Sequence, residues 1–211
     1  MIPAWFVATE EYSVSFDAND ADLRYYAQFR AGGSTGTTIR LSDPSTIAVD
    51  GKEMELFDGD EAWINLEGSY YYLNESAAAP EASYSFLWTR LDGSEYENIV
   101  VMPEAIDVVT PLADESLSKA NGITITFSPA VGDNEDVRCT ISGNSDVDSE
   151  WVNSGDTCVF TAEELADMEP GDATVYVRRR LSGDIQMGHD DEGGSVNSYY
   201  WSTRVGVLVT E

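Results

Sequence analysis

Ile123-Thr124-Ile125-Thr126-Phe127 alternates apolar and hydroxyl side chains, a period of two that no helix shares. Successive side chains of a strand project to opposite faces, so Ile123, Ile125 and Phe127 share a buried face and both threonines meet water. The same period runs through Ser13-Val14-Ser15-Phe16 and through Arg204-Val205-Gly206-Val207-Leu208-Val209. Asp50-Gly51 separates Ile47-Ala48-Val49 from Met54-Glu55-Leu56-Phe57, and Asp92-Gly93 follows Ser85–Arg90; both dipeptides read as hairpin turns. Turns at roughly ten-residue spacing mark an antiparallel sandwich or barrel, so the chain reads as all-β. One short helix is expected near residues 161–168. Thr161-Ala162-Glu163-Glu164 fits a capping box, Leu165 and Met168 give an apolar edge, and Glu169-Pro170-Gly171 stops the run.

An offset of ninety residues reveals a faint internal repeat. Pro80 matches Pro170, Arg90-Leu91 with Gly93 matches Arg180-Leu181 with Gly183, and Phe86-Leu87 corresponds to Tyr176-Val177. Each copy reads as a proline-led loop, a strand and a turn, which predicts one sandwich built twice. The expected domains are residues 1–104 and 105–211, divided near Met102-Pro103-Glu104 where the run Ile99-Val100-Val101 ends.

The composition narrows the partners. The 211 residues hold 39 Asp and Glu against 11 Lys and Arg, a formal net charge of -28, while 42% hydrophobic residues suffice for a core. A nucleic acid would meet repulsion instead of counterion release, and an anionic membrane is disfavoured for the same reason. The acids divide 19 and 20, and the bases 5 and 6, between residues 1–104 and 105–211, so the charge is a coat and not a tail. Only Lys52 and Lys119 are lysines. An acid-rich, lysine-poor surface fits a marine or halophilic source, or a secreted protein with an acidic exterior. No apolar run reaches the length of a transmembrane helix, and Met1-Ile2-Pro3-Ala4-Trp5-Phe6-Val7 lacks the flank and length of a signal peptide.

Together the hairpin repeat, the Ile123–Phe127 strand after a proline-bearing linker and the closing Arg204–Val209 strand resemble tandem immunoglobulin-like β-sandwich ectodomains of bacterial cell-envelope proteins, including lipoproteins of marine bacteria. The resemblance implies two sandwiches at a cell surface, acting in adhesion, assembly or ligand presentation. The Cys…Trp…Cys arrangement of antibody domains is absent, because Trp151 follows Cys139 by only twelve residues.

Catalytic patterns are poorly placed. Gly32-Gly33-Ser34-Thr35-Gly36 satisfies G-x-S-x-G but joins two strand-like runs where the motif needs a strand-to-helix turn. Ser116-Leu117-Ser118-Lys119 matches S-x-x-K without its companion motifs, and the single histidine, His189, sits in a loop. Glu61 and Glu67, beside Trp63 and Leu66, are the carboxylates nearest to an apolar setting, and no enzyme is expected. Calcium is the one cofactor the acidic loops admit. Asp17, Asn19, Asp20 and Asp22 crowd one turn, and Asn144, Asp146, Asp148 and Glu150 alternate through another; Gly188–Gly194 is a third acidic loop. Cys139 and Cys158 each share a strand face with apolar neighbours, which leaves a disulfide or two buried thiols.

Aromatic runs supply the ligand-binding candidates. Tyr70-Tyr71-Tyr72 and Tyr199-Tyr200-Trp201 each put one face inside and one outside, and Tyr71, Tyr200 and Trp201 are the candidate ligand-binding residues. Arg178-Arg179-Arg180 is the one basic cluster, its members alternating between faces. The expected role is a non-enzymatic exported or cell-surface protein, extracellular, outer-membrane-attached or periplasmic, acting in adhesion, surface assembly or protein–protein binding. The alternative is a carbohydrate-binding module, calcium-braced, with a surface glycan as partner.

Overall fold

The computed structural model describes residues 9–32, 36–57, 68–188 and 193–211. Among them lie eighteen strands: β1 (Thr9–Asp17), β2 (Asp22–Ala31), β3 (Thr37–Thr38), β4 (Thr46–Val49), β5 (Lys52–Glu53), β6 (Glu55–Phe57), β7 (Tyr70–Ser76), β8 (Ser83–Thr89), β9 (Glu95–Val101), β10 (Asp107–Thr110), β11 (Ser116–Ser118), β12 (Ile123–Ser128), β13 (Glu135–Ser142), β14 (Asp146–Asp148), β15 (Thr157–Phe160), β16 (Gly171–Asp184), β17 (Gly194–Trp201) and β18 (Val205–Thr210). Among the described residues the protein is all-β, in sheets that do not close into a barrel.

Two compact units divide the chain. Of the described residues, one takes in 9–15, 22–102 and 182–198, and the other 16–21, 103–181 and 199–211.

In the first unit the strand order is β17-β1-β2-β7-β6 with β3 on β2, and a second sheet runs β5-β4-β8-β9. Alternation decides the facing: Tyr12, Val14, Tyr25, Ala27 and Phe29 point inward from one sheet, and Val49, Phe86 and Trp88 from the other. Rings from the two sheets meet, with Tyr12 at 5.3 Å from Phe86 and Phe29 at 5.0 Å from Trp88 between centroids. The Asp50-Gly51 turn has both residues at positive φ, 46° and 75°, which a two-residue hairpin with the twist of its strands requires. Residues 182–198 are bound in through Asn98, which is fully buried. Its Oδ1 accepts the Gln186 and Met187 amides at 2.8 and 3.0 Å, and its Nδ2 donates to the Met187 carbonyl at 2.9 Å. The Ser198 hydroxyl donates to the Val101 carbonyl at 2.6 Å.

In the second unit the order is β11-β18-β16-β13-β14, opposite a sheet β10-β12-β15. β11 runs parallel to β18, pairing Ser116 with Leu208. Ile123, Ile125 and Phe127 are buried, as their alternation requires, and so are Val137, Ile141, Val175 and Val177 of the facing sheet. Cys139 of β13 and Cys158 of β15 form a disulfide with Cα atoms 6.2 Å apart.

Two expectations need correction. Over 161–168 the capping box forms, with the Glu164 carboxylate accepting the Thr161 amide at 2.7 Å, yet the segment is a run of turns. Only Leu165 N–H reaches back four residues, to the Thr161 carbonyl, and Pro170 forbids elongation. The ninety-residue repeat is not structural either. Phe86 points into its core whereas Tyr176 points outward, and Gly183 lies inside β16 where Gly93 makes a turn at φ 80°.

Candidate functional site

On the outward face of the second unit, β13 and β16 pair antiparallel with Arg138 opposite Arg178, Asp136 opposite Arg180 and Thr140 opposite Tyr176. Val137, Cys139, Val175 and Val177 take the inward positions, so period-two alternation forces these arginines outward. Arg138 and Arg178 are a directly opposed like-charge pair, which on its own destabilises a sheet. Trp151 compensates. Its segment is fixed by reciprocal backbone hydrogen bonds between Val152 and Val137, at 2.7 and 2.8 Å. The indole is thereby laid over the guanidiniums of Arg180, Arg138 and Arg178, at 4.3, 4.8 and 4.9 Å from its centroid. Each such contact is worth about 0.5–2 kcal/mol, depending on desolvation.

The array continues along residues 199–201, the end of β17 that belongs to the second unit. The Arg178 guanidinium lies 5.8 Å from the Trp201 ring, and Trp201 lies 5.7 Å from Tyr199. Arg204 sits 5.6 Å from the Tyr176 ring. Carboxylates then sort the cations. Asp148 pairs with Arg138 at 3.2 Å and accepts the Thr140 hydroxyl at 2.6 Å. Asp136 pairs with Arg180 at 2.6 Å, and Asp17 and Asp20 share Arg204 at 3.3 and 3.6 Å. Arg178 has no carboxylate within ion-pair distance among the described residues. Burial first, and then the Arg138 charge opposite, hold its pKa below the ordinary guanidinium value.

Arg179 faces the other way and is 1% exposed. Its Nη2 donates to the Pro129 and Ala130 carbonyls at 2.5 and 3.0 Å, and the Glu135 carboxylate lies 3.6 Å from Nη1. It is an internal clamp on the loop after β12.

Of the aromatic candidates, Tyr71 and Tyr200 turn inward. Tyr71 packs on Phe29 and accepts the Leu41 amide at 2.9 Å; Tyr200 packs on Phe16 at 5.5 Å. Neither offers a ring to a ligand, because the middle residue of each aromatic triplet took the core face. Trp201 stays outward with Tyr199, as do Tyr70 and Tyr72 in the first unit. There Tyr70 stacks on Phe57 at 4.7 Å and lies 5.1 Å from Tyr26.

The acidic loops are tied into the protein's own bonds. Asp17 accepts the Asn19 amide, Asn19 donates to Asp20, and Asp22 pairs with Arg24. Asn144 accepts the Glu169 amide at 3.2 Å, while Asp146 and Glu150 are exposed. No group of three or more His, Cys, Asp or Glu converges among the described residues. Ser116 and Ser118 lie in β11 and Lys119 donates to the Met168 carbonyl at 3.0 Å. Ser34, Glu61, Trp63, Glu67 and His189 fall outside the described residues. No described helix is long and apolar enough to cross a membrane.

Sequence reasoning missed Trp151 and Arg138 as members of the site. The signal was there, since Arg138 alternates with core residues as Arg178 does, but their adjacency depends on the β13–β16 register.

No family model matches the chain, and no curated protein does. Among solved structures, fibronectin(III)-like modules of Clostridium thermocellum CbhA align at 13% identity and TM-score 0.26, over 92% of this chain and 87% of that one. Bacteroides ovatus SGBP-B, in complex with a mixed-linkage heptasaccharide, aligns at 13% and 0.27, over 91% of this chain and 53% of its own. DIP-gamma IG1+IG2 aligns at 10% and 0.24, over 96% and 95%. Likenesses this distant carry no functional argument.

Proposed function

We propose that this is a non-enzymatic exported or cell-surface protein acting in adhesion, surface assembly or protein–protein binding, with the outward face of β13, β16 and β17 as its contact surface. One observation carries the reading: four of the eleven bases gather with two tryptophans and two tyrosines on one face of a chain with net charge -28. Arginine and tryptophan are the side chains that concentrate binding energy at interfaces. The disulfide supports an oxidising, extracellular or envelope compartment. The second reading, a carbohydrate-binding module, rests on the outward Tyr26, Phe57, Tyr70 and Tyr72 cluster of the first unit.

Binding of labelled protein to intact cells and to a glycan panel separates the two. Loss on Arg178→Ala with Trp201→Ala, and retention on Tyr70→Ala with Tyr72→Ala, supports the first reading. The reverse pattern supports the second, and retention by both variants retires both faces.

A further inference from the structure

Arg178 is singular among the outward arginines of the second unit. Arg138, Arg180 and Arg204 each hold a carboxylate, whereas Arg178 faces a like charge and holds none among the described residues. Asp148, the acid that bears on it, is already shared by Arg138 and Thr140. Trp151 and Trp201 lie beside its guanidinium, and no hydrogen bond joins its fork to any described residue. A planar fork fixed by rings and free of acceptors is preorganised for bidentate capture of a carboxylate. Such an anion would also relieve the opposed Arg138–Arg178 pair.

The flanking groups define what carries the anion. Trp201 and Tyr199 are half-buried, outward and two residues apart on one strand, a strip two rings long beginning at Arg178. Ring faces of this kind take the C–H face of a sugar. The net charge of -28 sets a further condition, because a densely charged polyanion is repelled by the rest of the surface.

We infer that Arg178 receives a single uronate carboxylate of an otherwise neutral glycan, whose neighbouring sugar lies along Trp201 and Tyr199. This rests on the adhesive reading and makes a surface glycan the ligand of that same face, distinct from the Tyr70 and Tyr72 face of the second reading.

The test uses the full chain and a xylo-oligosaccharide bearing one glucuronate, against its methyl ester, by calorimetry. The acid is expected to bind at least tenfold more tightly than the ester. Arg178→Lys keeps the charge but loses the fork, and should bring the acid down to the ester's affinity with an unchanged melting temperature. Trp201→Phe should weaken both probes alike. Equal binding of acid and ester, an unaffected Arg178→Lys, or no binding of either overturns the inference. Trp201-dependent retention on cells alongside any of these results leaves the surface-binding reading standing. Loss of that retention as well removes both.

Discussion

Asn98 tests whether residues 182–198 belong to the same cooperative unit as residues 9–15 and 22–102. Its buried amide makes three hydrogen bonds to the backbone of Gln186 and Met187. Asn98→Ala strands two N–H donors and one carbonyl. Gln186 and Met187 are themselves exposed, so water recovers part of the loss and the low end of the unsatisfied-group range applies to each. The sum is about 3 kcal/mol, or a fall in melting temperature of about 6–12 °C for a chain of this length. Asn98→Asp keeps the acceptor and loses the donor, so it sets a carboxylate against the Met187 carbonyl. Burial raises that acid's folded pKa above its unfolded value near 4, so its deficit is smallest below that value, where the protonated acid can donate to the carbonyl. The deficit grows as pH rises through the folded pKa. Thermal unfolding of both variants from pH 3 to 8 reads this, with amide exchange at residues 186 and 187 as the local probe. If Asn98→Ala melts within a degree of the wild type and both amides keep their protection, the 182–198 segment does not stabilise the unit.

Three further outcomes are expected. Replacing Cys139 and Cys158 by alanine opens a bridge between residues nineteen apart, and chain entropy puts the cost at about 3 kcal/mol, readable by urea unfolding. A Cβ at Gly194 would sit 2.2 Å from the Glu10 carbonyl oxygen, so Gly194→Ala should destabilise by about 1–3 kcal/mol, whereas Gly183→Ala, whose Cβ meets Val196 at 3.4 Å, should cost far less. Because Asp17 and Asp20 are held by Arg204 and Asp148 by Arg138, millimolar calcium should raise the melting temperature no more than magnesium at matched ionic strength. A calcium-specific rise of several degrees would show a formed site.

What the sequence disclosed, and what it hid, follow from the range of each interaction. Alternation is a property of one strand, so the inward faces of Ile123–Phe127 and of residues 137–141 were legible from neighbours two positions away. The Asp-Gly turns were legible for the same reason, since positive φ at adjacent residues leaves few choices of side chain. The capping box at Thr161 was local too, and it formed; the helix beyond it failed because the eight residues 161–168, stopped by Pro170, cannot repay nucleation. Register is not local. Tyr71 and Trp201 sit in similar aromatic triplets, and only the pairing of β7 with β2 and of β17 with its neighbours decides which ring faces inward. The Arg–Trp array is the extreme case, because it needs residues 138, 151, 178 and 201 to converge.

Its energetics argue against a merely structural reading. Trp151 and Asp148 offset the Arg138–Arg178 repulsion only in part, and a strand pair seeking stability would have placed a carboxylate opposite Arg178, as Asp136 stands opposite Arg180. Thirty-nine acids were to hand for that position, and an arginine stands there instead. Arg178→Glu gains a cross-strand pair with Arg138 worth a few tenths of a kcal/mol up to about 1 kcal/mol and gives up the Arg178 contacts with Trp151 and Trp201, so the unfolding free energy reads which is larger, while binding at this face is abolished. A variant that gains in unfolding free energy and loses cell or glycan binding identifies a position held for function against stability. One that loses stability shows that the cation itself, between its two indoles, is needed to hold the strands.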